Sequence, residues 1–83
     1  MIVDIFLYAK VRDICEKDQV KICLQKEEAP LREVINQFIQ EFPNVEEYLK
    51  VCRFSKDLKY VKSIDITLKD GDKIMIIPPI SGG

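Results

Sequence analysis

The chain has 83 residues, enough for one small domain that buries roughly 60–65% of its unfolded surface. Its 13 basic and 14 acidic residues leave a net charge of −1, so no basic excess favours nucleic acid or an anionic membrane surface as partner. The absence of histidine excludes Ser-His and Cys-His nucleophilic sites and every imidazole metal site.

Residues 1–9 read as a strand, with Val3, Ile5 and Leu7 on one face and Ile2, Phe6 and Tyr8 on the other, broken by Asp4. Apolar residues on both faces mark a central strand, or one whose second face meets a partner. Residues 10–17 fit a short helical turn burying Val11, Ile14 and Cys15. Residues 18–25 alternate, Val20, Ile22 and Leu24 inward against Lys21, Cys23 and Gln25 outward, a half-buried strand antiparallel to the first. Residues 30–42 predict the main helix. Leu31, Val34, Ile35, Phe38, Ile39 and Phe42 form a single stripe, Pro30 suits the first helical position and Pro43 ends the helix. A short turn through residues 45–49 follows.

Residues 50–55 and 59–62 are weaker strand candidates, with Ser55-Lys56-Asp57 as the turn between them. Ile64, Ile66 and Leu68 alternate before Lys69-Asp70-Gly71-Asp72, where Asp-Gly signals a turn. The last strand, 72–77, puts Ile74 and Ile76 on one face and Met75 and Ile77 on the other. Cys15, Cys23 and Cys52 are an odd count with no CxxC pair and read as reduced, buried, structural residues. The N-terminus carries no basic region before its apolar stretch and no run reaches membrane-spanning length, so a soluble, reducing, cytoplasmic setting is expected.

One helix with one apolar stripe needs one sheet face to cover it. The order of elements predicts an α+β roll, a mixed sheet packed on one main helix with the first and last strands side by side and parallel: the β-grasp, the fold of ubiquitin. The domain is expected over 1–77. Beyond it, Pro78-Pro79-Ile80-Ser81-Gly82-Gly83 reads as a projecting tail, because two prolines stop a strand ladder and hold the chain extended. Glycine without a Cβ lets the terminus enter a narrow channel and leaves its carbonyl open to attack. On the helix-free face, Phe6, Tyr8, Met75 and Ile77 point outward, with Tyr60 joining them. Such an apolar patch marks an interface unless a loop or short strand covers it.

A β-grasp domain with this tail resembles the small subunit of molybdopterin synthase, the MoaD-like members of the MoaD/ThiS sulfur carriers. Phe6-Leu7-Tyr8-Ala9-Lys10-Val11-Arg12 is similar to the family's first strand and turn, and Leu68-Lys69-Asp70-Gly71-Asp72-Lys73-Ile74 to its turn into the last strand. Cys52-Arg53-Phe54-Ser55-Lys56-Asp57 departs from the Asn-containing turn that many members carry there. The resemblance implies a sulfur carrier of molybdenum-cofactor synthesis. Gly83 would be adenylated by a ubiquitin-activating-like enzyme that uses ATP, converted to a thiocarboxylate by a sulfur donor protein, and inserted with Gly82 and the Pro78–Ser81 segment into the large subunit of a heterotetrameric synthase. Ile80 and Ser81 would line that passage, and the sulfur would pass to a pterin precursor. On this reading the domain is a non-catalytic sulfur-donor subunit that binds neither cofactor nor metal. The alternatives are a ubiquitin-like modifier conjugated through Gly83, a carrier for thiamine or another thio-compound, which Pro78-Pro79 disfavours, and a plain interaction module with an inert tail.

Overall fold

A computed structural model describes residues 1–79; the predicted tail residues Ile80, Ser81, Gly82 and Gly83 lie outside the described residues. Strand β1 (Ile2–Leu7) leads into helix α1 (Ala9–Cys15), β2 (Gln19–Cys23), β3 (Glu28–Pro30) and the main helix α2 (Leu31–Glu41). A 3-10 turn (Pro43–Val45) and the single-turn helix α3 (Glu46–Leu49) follow, then β4 (Arg53–Lys56), β5 (Lys59–Tyr60), β6 (Thr67–Lys69) and β7 (Lys73–Ile77). Five strands form a mixed sheet in the order β2-β1-β7-β4-β5. First and last strands pair in parallel at its centre, Ile5 beside Ile74 and Leu7 beside Ile76, and every other contact between its strands is antiparallel. This is the predicted β-grasp.

The core follows from the two periodicities. Val3, Ile5 and Leu7 of β1, Val20 and Ile22 of β2, and Ile74 and Ile76 of β7 are buried at every second position. Leu31, Val34, Ile35 and Phe38 of α2 are buried at helical spacing. They form one cluster, joined by Val11, Cys15, Val45, Leu49 and Leu68. Ile39 and Phe42 finish the stripe at the core's edge, half-buried, with the Phe38 and Phe42 rings 5.4 Å apart.

The structure departs from the sequence reading in four places. Tyr8 lies outside β1: Ala9 has φ of 51°, which turns the chain out of the strand and makes Tyr8 the residue preceding α1. Pro30 precedes α2 and closes β3, which pairs with β6 in a separate two-stranded sheet. The segment leading into β6 brings two backbone carbonyls to the start of α2: Leu31 donates to Ile66 (2.9 Å) and Arg32 to Ile64 (2.7 Å). Two of the helix's orphan N–H groups are satisfied this way, where no side chain caps it. The β4–β5 turn is Asp57-Leu58, with φ of 53° and 66°, and not Ser55-Lys56-Asp57. Two positive φ values in a two-residue loop are the type I′ geometry, whose twist matches that of the strands. Finally, Cys23 is exposed, Cys52 half-buried and only Cys15 buried; all three are free thiols.

The turn into β7 has the expected chemistry. Gly71 has φ of 88°, and the Asp72 N–H donates back to the Lys69 carbonyl (3.1 Å). The turn also grips β1, with Ile2 donating to the Asp70 carboxylate (2.7 Å) and Gly71 donating to the Ile2 carbonyl (2.9 Å). Phe38 is fully buried at the middle of the helix–sheet contact. Phe38→Ala should therefore cost about 3–5 kcal/mol, read as a lower urea midpoint with little change in slope. A loss below about 1 kcal/mol would contradict that packing.

Candidate functional site

The pleat that sends Ile5, Leu7, Ile74 and Ile76 into the core sends the residues between them to the opposite face. The registers put Phe6 beside Met75, Met75 beside Ser55, and Ser55 beside Tyr60. One row therefore crosses β1, β7, β4 and β5. Ile77, beside Arg53, starts the next row toward the tail. Phe6, Met75 and Ile77 are half-buried and Tyr60 is 63% exposed. Ser55 is the small member of the row. It is 4% exposed and forms the floor of a groove between Met75 and Tyr60.

Three shallow grooves follow one another along β7. The first, about 290 Å³, is lined by Phe6, Tyr8, Asp57, Leu58, Lys73 and Met75. The second, about 220 Å³, is lined by Ser55, Leu58, Tyr60, Met75 and Ile77. The third, about 250 Å³, is lined by Arg53, Tyr60, Ile77, Pro78 and Pro79. Neighbouring grooves share Met75 and Leu58, then Tyr60 and Ile77, so they make one strip from Tyr8 to the root of the tail. Each is smaller than the pocket a drug-sized ligand needs, and each suits the anchoring side chains of a protein partner.

The structure thus brings Phe6, Tyr8, Tyr60, Met75, Ile77, Pro78 and Pro79 along one strip, while Ile80, Ser81, Gly82 and Gly83 lie outside the described residues. Tyr8 reaches the strip from the start of α1, 39% exposed, and not from the strand. The sequence reading missed Leu58, the most exposed large apolar side chain of the described residues at 87%. Its signal was an apolar residue between Asp57 and Lys59, inside a turn. It missed the strip's polar members too: Asp57 and Lys73 at one end, and Arg53, whose guanidinium lies 5.9 Å from the centre of the Tyr60 ring. On the β2 side the strip is bounded by Asp4 and Lys21, a 2.9 Å ion pair. The Lys21 hydrogen bond holds the Asp4 carboxyl below its ordinary value.

A fourth groove, about 270 Å³, lies on the helix side among Ile35, Ile39, Leu49, Phe54 and Ile64. Among the described residues no three or more of Cys, Asp and Glu gather as a metal site, and no helix is long and apolar enough to cross a membrane.

The model of the ThiS family matches residues 5–83. The chain is 32% identical over 80 residues to the molybdopterin synthase sulfur carrier subunit of Dictyostelium discoideum, covering 95% of this chain and 93% of that one. It is also 32% identical, over the full length of both, to the subunit of that name from Chlamydomonas reinhardtii. Among solved structures, SAMP1 from Haloferax volcanii superposes with a TM-score of 0.89 over all of both chains at 14% identity, a likeness of fold. A chain in the complex of subunits 1 and 2 of the molybdopterin-converting factor of Helicobacter pylori is 25% identical, with a TM-score of 0.73 over all of both chains.

The cysteines separate by environment. Burial pushes the Cys15 and Cys52 thiols up, and the Cys52 sulfur lies 3.4 Å from the Tyr48 carbonyl oxygen. A raised value means less thiolate at a given pH, and the thiolate is the nucleophile. Iodoacetamide at neutral pH should label Cys23 first. Cys15 and Cys52 should react only as pH rises or the protein unfolds. Peptide mapping showing equal labelling of Cys15 and Cys23 in the folded protein would contradict this order.

Proposed function

The chain belongs to the ThiS family, and from that membership we propose that it is the sulfur-carrier subunit of a molybdopterin synthase. The observation that carries the reading is the strip along β7. It leads through Ile77, Pro78 and Pro79 into Ile80-Ser81-Gly82-Gly83. A docking surface and a glycine terminus are thereby set on one continuous stretch of chain.

The chemistry proceeds at Gly83. A carboxylate is a poor electrophile because its leaving group would be oxide or hydroxide. A partner enzyme of the ubiquitin-activating type joins the carboxylate to the α-phosphate of ATP and releases pyrophosphate. The acyl-adenylate then loses AMP to the terminal sulfur of a persulfide on a donor protein, and a thiol attacks the donor's own sulfur of the resulting acyl disulfide, forming a disulfide there and releasing the thiocarboxylate. The large synthase subunit takes the domain by its apolar strip and the tail by its narrow glycine end. There the sulfur passes to a pterin precursor while water returns the Gly83 terminus to a carboxylate, and two such transfers supply the two sulfurs of a dithiolene. Acid–base groups are contributed by the large subunit, and this domain contributes the reacting terminus, the docking face and a fixed reach.

Two experiments test this. Ile77 belongs to two of the three grooves, so Ile77→Asp places an unpaired charge at the centre of the contact. With circular dichroism unchanged, its affinity for the large subunit should fall by at least about 100-fold in calorimetry. Deletion of Gly83 shortens the reach by about 3.3 Å, and an error near 1 Å already costs on the order of 100-fold in rate. The deletion should leave the urea midpoint unchanged and abolish both ATP–pyrophosphate exchange with the activating enzyme and the mass change of one oxygen replaced by sulfur. A Gly83-deleted chain that still forms a thiocarboxylate and supports normal molybdopterin synthesis would refute the proposal.

A further inference from the structure

Asp70-Gly71 is the only place in the sequence where an aspartate or asparagine precedes glycine. Such a pair is open to backbone isomerisation, because glycine puts no Cβ in the way of attack by its own nitrogen. The turn into β7 makes the pair hard to avoid. Gly71 has φ of 88°, a conformation that residues with side chains rarely adopt, while a Cβ built there would meet nothing within 4 Å. Backbone conformation, and not space, therefore calls for glycine, and the reactive dipeptide comes with it. Both residues are exposed, so water has access to the turn.

One residue holds both reacting groups. The Ile2 N–H donates to the Asp70 carboxylate at 2.7 Å, and the Gly71 N–H donates to the Ile2 carbonyl at 2.9 Å. Ring closure needs the Asp70 side chain to leave Ile2 and swing onto the Gly71 nitrogen, with that N–H released. Ile2 is also tied on its other side, where it pairs with Cys23 of β2 and the neighbouring Met1 carbonyl accepts the Leu24 N–H at 2.9 Å. The two contacts to the turn are thus kept or lost together, as the first residue of β1 stays down or lifts.

We infer that Asp70-Gly71 is a spontaneous isomerisation site that Ile2 holds shut, isoaspartate forming only when the start of β1 lifts from the turn. The Gly71 nitrogen attacks the side-chain carboxyl carbon of Asp70 in its protonated form. A C–N bond forms and one water leaves, made of the acid's hydroxyl and the nitrogen's proton. Water then opens the five-membered imide at either carbonyl, restoring aspartate or leaving isoaspartate. The sum has no change in mass and uses no other reactant. In isoaspartate the main chain runs through the Asp70 side chain and is one carbon longer just ahead of β7. The reaction is independent of the proposed sulfur transfer.

The test follows isoaspartate in the unaltered protein at mildly acidic pH, in native buffer, in urea below the unfolding transition and in denaturing urea. After digestion, isoaspartyl carboxyls are counted by methyl transfer from labelled S-adenosylmethionine with an isoaspartyl methyltransferase, and peptide mapping locates them. In denaturing urea residue 70 should be the main site, and Asp70→Glu, which would need a six-membered ring, should lose its signal. In native buffer the rate should be at least about 10-fold lower, and it should stay flat across sub-denaturing urea because lifting one strand end exposes little surface. Absence of isoaspartate at residue 70 in denaturing urea, or a signal there that survives in Asp70→Glu, would overturn the inference. So would a native rate within about 10-fold of the denatured one. A native rate that climbs with urea as steeply as global unfolding would overturn it too, since the gate would then be the whole fold and not Ile2.

Discussion

The parallel pairing of β1 with β7 is the contact on which the rest of the structure depends. Two parallel neighbours cannot be joined by a tight turn, so everything from α1 to β6 is the connection between them. That connection carries one long helix, and one helix covers one face of a sheet. Val3, Ile5, Leu7, Ile74 and Ile76 take that face. With a side-chain period of two, Phe6, Met75 and Ile77 must then emerge on the other. The central pair is apolar on both sides, and within the described residues only the inner side is closed by a helix. The outer side is narrowed by the Asp57-Leu58 hairpin and by Tyr8, which leaves grooves of side-chain size. The same pairing that builds the core therefore builds the candidate interface.

What could be read from sequence was whatever repeats along several turns or several pleats. Helix α2 was legible because six apolar residues fall on one stripe, and β1, β2 and β7 because alternation runs through each. The sheet of β3 and β6 was not. Each strand has three residues and buries one side chain, Ala29 or Leu68, too little for a period to show. The segment just before β6 also caps α2, with carbonyls more than thirty residues away in sequence, so no capping residue next to the helix could announce it. Alternation continues through Tyr8 and so extends β1 to it in the sequence; the turn at Ala9 is a backbone event that an alanine does not advertise.

The site divides along the same line. Phe6, Met75 and Ile77 follow from alternation alone once β1 and β7 are placed at the centre. Leu58 follows from no pattern. A leucine suggests strand or core, so the sequence points to a turn at Ser55-Lys56-Asp57, two residues before the one that forms. Local preference and local structure disagree at this position. Such disagreement at an exposed residue directs attention to a contact outside the domain.

The placement of the two prolines completes the argument for a tail with a defined root. β7 pairs with β1 as far as Ile76 and with β4 as far as Ile77. Proline has no N–H, so neither Pro78 nor Pro79 can extend a ladder on either side. The chain must part from the sheet there, and it parts from an inner strand. An edge strand frays, and a tail leaving it would inherit that uncertainty in position. The backbone is fixed through β1 to the core as far as Ile76, and at Ile77 through β4 to the hairpin that carries Leu58. The root of the tail and the docking strip therefore belong to one rigid element. A partner that grips the strip would thus also fix the point at which the chain leaves the sheet.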